Sequence, residues 1–172
     1  MNVKNLSISL ALCCLLVLPG CRGVDDDSEG FNEWAIYLLA DPSLTSYQIR
    51  ETPVAQLQLA SSPFITIRDL NAYYWKTHQM EFTPGMEATL DSLTRKGGSV
   101  YGLPFVVVVG EERIYAGAFW WAYSSLTPCC PNILLIGPKR MQISLPPLHQ
   151  GADPRSDQRI YWSLMAAGLL KE

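Results

Sequence analysis

Two cysteines stand side by side at Cys129-Cys130, bracketed by Pro128 and Pro131. Adjacent thiols can close a strained disulfide ring, and strained disulfides are the more easily reduced, regulatory kind. They can equally pair with another molecule, or remain a pair of thiols without a role. A dithiol centre of the C-x-x-C type needs a two-residue spacer that is missing here. A metal would need two or more further ligands, and the two histidines, His78 and His149, lie far away in sequence. No metal and no cofactor is therefore expected. His78 begins an alternating segment and reads as a half-buried histidine with a partner rather than a catalytic base. His149, in Pro147-Leu148-His149-Gln150-Gly151, reads as a solvated loop residue. Ser124-Ser125 lacks the G-x-S-x-G turn that exposes a nucleophile, and Glu111-Glu112 falls at a hairpin tip, where carboxylates are solvated and unfit for acid–base work. Trp120-Trp121 is the remaining candidate. On a strand the two indoles point to opposite faces, so at least one is expected outside the core, available to a glycan, peptide or protein partner.

These residues must be positioned by the elements around them. Phe105 to Val109 is a continuous apolar run, the pattern of a central strand covered on both faces. Gly110-Glu111-Glu112 turns it into a hairpin partner over Arg113–Phe119, and Gly117 there marks a bulge or a close backbone approach. Trp34–Leu39 reads as a strand, Thr45–Ile49 as a turn or short helix, and Ala55–Ala60 as a second strand. Thr66 is placed to cap a helix over Ile67–Tyr74. Thr77–Thr83 alternates as a strand burying Met80 and Phe82. Thr83-Pro84 opens a helix whose Met86, Leu90 and Leu93 share a face and which ends at Gly97-Gly98. Asn132–Ile136 and Met141–Leu145 add two strands, and Asp153-Pro154 opens a terminal helix stopped by Gly168. The order predicts a single α+β domain over residues 31–172, with a mainly antiparallel sheet and two to three short helices.

The chain has 172 residues, a net charge of -3 and no basic run. Its paired bases, Arg95-Lys96 and Lys139-Arg140, are too few for a nucleic-acid-binding face, so that class is excluded. Leu6 to Leu18 is apolar, follows Lys4, and at about 13 residues is short of the ~20 needed to span a bilayer. Arg22–Gly30, with Asp25-Asp26-Asp27, is polar and glycine-containing, the composition of a flexible tether.

Leu18-Pro19-Gly20-Cys21, closing the apolar run, resembles the lipobox of bacterial lipoproteins. The resemblance implies that residues 1–20 are a signal peptide, that Cys21 is acylated and becomes the mature N-terminus, and that residues 21–30 tether the domain to a membrane. It implies a cell-envelope location, with the outer membrane favoured if the host has two, because Arg22 and not aspartate follows Cys21. Cys13 and Cys14 would leave with the signal peptide, so Cys129 and Cys130 would be the remaining free thiols. Residues 65–136 also resemble the periplasmic head module of the protein-translocation subunit SecD, through Ile65-Thr66-Ile67-Arg68-Asp69-Leu70, Met80-Glu81-Phe82-Thr83 and Phe105 to Ile114. That resemblance implies a fold and no translocase activity. The expectation that follows is a membrane-anchored, non-enzymatic module that binds an envelope protein or glycan. The alternative is an envelope enzyme or redox accessory with a site assembled from distant residues.

Overall fold

The computed structural model describes residues 33–172. The expected signal peptide, Cys21, the expected acidic tether and the expected domain start at Phe31 lie outside the described residues. The strands are β1 (Trp34–Leu38), β2 (Ile65–Thr66), β3 (Leu70–Tyr74), β4 (Gln79–Phe82), β5 (Leu103–Val109), β6 (Glu112–Trp121), β7 (Asn132–Leu135), β8 (Arg140–Ser144) and β9 (Leu170–Lys171). The helices are α1 (Ser46–Arg50), α2 (Pro84–Lys96) and α3 (Gln158–Ala166). The nine strands form one sheet in the order β2-β1-β5-β6-β7-β8-β4-β3-β9. The α+β class holds, but the sheet is mixed: β6 runs parallel to β7 and β3 parallel to β9, while the other neighbours are antiparallel.

The sheet curls into an open half-barrel, because side chains from its two ends meet. Trp34 of β1 packs edge-on against Tyr73 of β3, with ring centroids 6.4 Å apart. The concave face holds the larger core, with Trp34, Ile36, Phe82, Phe105, Val107, Phe119, Trp121 and Ile133, covered by Met86 and Leu90 of α2 and Ile160 and Leu164 of α3. Strand alternation sends Val106, Val108, Ala118 and Trp120 to the convex face, where Leu39, Ile49 and Leu57 cover them. β5 is therefore covered on both sides, as its unbroken apolar run predicts.

Three local expectations are corrected. Ala55–Ala60 is not a strand. Pro53 leads into a one-turn 3₁₀ helix at Val54–Gln56, and only the single pair Leu39–Leu59 bridges to β1's extension. The alternation is real, but only Leu57 is fully buried, so there is little to hold a ladder. Nor is Ile67–Tyr74 a helix. Thr66 caps one 3₁₀ turn through a reciprocal box, its N–H and Oγ1 both donating to Asp69 Oδ2 at 2.7 Å. The chain then extends as β3, whose Leu70 and Ala72 are buried either side of exposed Asn71. Finally, Asp153-Pro154 opens a separate 3₁₀ turn, Pro154–Ser156, and α3 starts afresh with Asp157 as its cap.

Gly117 serves a close approach. A β-carbon there would stand 2.6 Å from both Phe105 Cζ and the Pro131 carbonyl oxygen. The bulge in the hairpin lies elsewhere: the register slips between Val107, opposite Tyr115, and Val108, opposite Arg113, leaving Ile114 as the extra residue.

Candidate functional site

The larger cleft, about 730 Å³, opens between α3 and the end of the sheet where the described chain begins. This volume falls within the range of small-ligand and peptide clefts. One wall is α3, which presents Arg159, Trp162, Ser163 and Ala166. The other is formed by Glu33, Val109, Glu112 and the turn residues Ile67 and Arg68. The helix is bolted in place from beneath: the Trp34 N–H donates to Ser163 Oγ at 2.8 Å, a buried bond between β1 and α3. Trp162 is 53% exposed, leaving much of the indole open to solvent. Arg159 forks onto Asp157 with bonds of 2.8 and 2.7 Å and reaches across the cleft to Glu112. Those partners, Asp157 first and then Glu112, hold its guanidinium firmly charged, and Arg159's bonds in turn hold Asp157's carboxyl below its usual range. Arg68 stands 3.8 Å from Glu33, with its side chain largely exposed. The cleft is thus lined by two acid–base pairs and an open indole.

A second polar cluster lies inside the half-barrel. His78 is only 6% exposed, and its Nδ1 sits 3.2 Å from the Tyr73 hydroxyl. Its Nε2 faces Asp153 Oδ2 at 3.7 Å, too far for a hydrogen bond. Asp153 is gripped by Arg155 through bonds of 2.9 and 2.7 Å, and Arg155 also donates to the Ile143 carbonyl. Burial pushes the His78 imidazole's pKa down, with Arg155 adding to the shift and Asp153 opposing it. Arg155's bonds hold Asp153 below its usual range, and burial pushes the Tyr73 hydroxyl up, so it stays protonated. His78 has the expected partner, but it is buried rather than half-buried and stands in the turn before β4 rather than on the strand. It lines neither cleft.

The cysteine pair borders a smaller cleft, about 270 Å³, with Arg50, Thr52, Pro131, Pro146 and His149. Both thiols are free, Cys129 partly exposed and Cys130 buried. His149 is half-buried here rather than fully solvated, with Nε2 3.1 Å from the Ala152 carbonyl oxygen. Trp120 and Trp121 do point to opposite faces, but both faces are covered, and each indole is 3% exposed. The partner-binding role expected of them is therefore corrected: neither ring offers a surface to a partner. Ser124 is a structural tie, donating to the Val100 carbonyl at 2.7 Å and accepting from the Leu126 N–H. Glu111 stays at the exposed hairpin tip, while Glu112 is drawn to Arg159.

The residues that build the larger cleft were missed because they come from four separated segments. The available signal was Arg159, Trp162 and Ala166 at helical spacing, one polar and aromatic stripe on a short helix. Among the described residues no group of three or more His, Cys, Asp or Glu side chains is arranged to hold a metal ion, and no helix is long and apolar enough to cross a membrane. In comparisons with known proteins, no family model, no curated protein and no solved structure matches this chain.

Proposed function

We propose that this protein is a lipid-anchored lipoprotein of the bacterial cell envelope whose domain binds a partner through the cleft between α3 and the Glu33 end of the sheet. The observation that carries the binding role is the exposed Trp162 sharing one cleft with the pairs Arg159–Glu112 and Arg68–Glu33. An open indole supplies contact area at little entropic cost, and charges of both signs in the same cleft give orientation and register. That chemistry fits a polypeptide segment of another envelope protein, with a glycan strand as the other occupant an indole can stack against. The anchor rests on Leu18-Pro19-Gly20-Cys21 and the acidic stretch to Gly30, which would hold the domain close to its membrane. Arg22 after the cysteine supports the outer membrane in a host with two.

A single experiment with two readouts tests this. The full chain, carrying a photo-crosslinking residue at position 162, is produced in a bacterial host fed a clickable fatty acid. Fatty-acid label is expected on the chain and absent from Cys21→Ser. A discrete crosslinked adduct is expected at 162 but not with the crosslinker at Gln142, an exposed residue of β8. Undiminished label in Cys21→Ser overturns the anchor. Identical patterns from positions 162 and 142 overturn the binding face.

A further inference from the structure

The vicinal cysteines are not equivalent, and their difference goes beyond the partner-binding reading. Cys129 is partly exposed at the mouth of the smaller cleft, with Sγ 3.8 Å from the buried Ser46 hydroxyl. Cys130 is 6% exposed and belongs to the convex-face core with Val106, Val108, Ala118 and Trp120. The backbone beyond it is fixed: the Pro131 carbonyl accepts from the Ala118 N–H at 2.9 Å, and β7 begins at Asn132. Asn132 Nδ2 also donates to the Cys130 carbonyl. Closing a ring between the two sulfurs would have to distort a peptide unit held between Pro128, Pro131 and that ladder. Arg50 and His149 line the same cleft, and Arg50 is paired to Glu51.

We propose that Cys129 is a covalent modification site that takes up small disulfides as a lasting mixed disulfide, while Cys130 stays a thiol. The Cys129 thiol loses its proton to solvent, and its sulfur attacks one sulfur of the incoming disulfide. The Cys129–sulfur bond forms and the reagent's own S–S bond breaks. Cys129 is oxidised, and the departing sulfur is reduced and leaves as a thiolate that takes up a proton. The adduct would be released if Cys130 attacked it, which requires the Cys130 thiolate. Burial pushes that thiol up to about 12, with Cys129 beside it adding to the shift, so the attacking form is scarce at neutral pH. A resolving thiol that is buried, protonated and ring-strained leaves the adduct in place.

The test treats the full chain, purified from membranes in detergent, with glutathione disulfide and separately with cystamine. The peptide Ile114–Lys139 is then mapped by mass without reductant. A mixed disulfide from either reagent is expected on Cys129 and not on Cys130. The glutathione adduct should persist after excess reagent is removed, vanish in Cys129→Ser, and form unchanged in Cys130→Ala. A peptide two hydrogens lighter, the product of closure between Cys129 and Cys130, would overturn the proposal. So would the absence of any adduct, or equal labelling of both cysteines.

Discussion

His78 adopts a left-handed backbone (φ 50°, ψ 39°) at the close of the turn Trp75–Thr77 and turns its ring inward against Tyr73, Trp75, Asp153 and Arg155. Burial, with Arg155 behind it, holds its pKa below the ordinary 6.5, although Asp153 pulls the other way. The unfolded chain therefore takes up a proton near pH 6.5 that the folded chain refuses. With more protons on the unfolded side, stability falls as the pH drops below 6.5, until the folded imidazole titrates as well. Asp153, held low by Arg155, adds a further loss at lower pH as its own carboxyl protonates, starting from an unfolded value of 3.8. The melting temperature is expected to fall between pH 7.5 and 5.5. Asparagine tolerates a left-handed backbone and does not titrate, so His78→Asn should flatten that slope. An unchanged slope in His78→Asn would show that the acid sensitivity arises elsewhere.

At the level of elements, β5 carries the most weight, since it pairs with β1 and β6 and feeds both cores. Val107→Asp would bury an unpaired carboxylate beneath α2 and α3, at a cost on the order of 3 kcal/mol or more. Chemical denaturation should show the transition midpoint collapsing, and a midpoint close to wild type would refute the central placement of β5. This strand was legible because its signal is local: a continuous apolar run ending at a glycine turn. The same holds for β1, β6, α2 and the body of β4, whose periodicity or end signals lie within a few residues, although β4 starts at Gln79 and not at Thr77. β3 was not legible as a strand, because Ile67 to Tyr74 begins with a true cap and only the packing of Leu70, Ala72 and Tyr73 extends the rest. The parallel pairings of β6 with β7 and β3 with β9 were hidden for another reason. They depend on which distant edges are left open once the hairpins have formed. The larger cleft shares that property, since Glu33, Arg68, Glu112 and Arg159 are neighbours only after α3 docks on β1.

Across the whole molecule, the half-barrel is closed by the last part of the chain. α3 plugs the concave face, Gly168 turns with φ of 70°, and β9 lies alongside β3, pairing Leu170 with Tyr73 and Lys171 with Tyr74. The Tyr73 N–H also donates to the Leu169 carbonyl at 2.9 Å. Removing Leu170–Glu172 should leave a folded protein that is less stable by roughly 1–2 kcal/mol, or about 3–6 °C in melting temperature. A melting temperature within a degree of wild type would mean that β9 contributes nothing to closure. The two-residue lengths of β2 and β9 have a different consequence. They are the outermost strands at the two ends of the order, and each is too short to offer a row of unpaired donors and acceptors to a neighbouring copy. β2 passes at once into a capped turn. Neighbouring copies are thereby kept from templating one another edge to edge into fibrous aggregates.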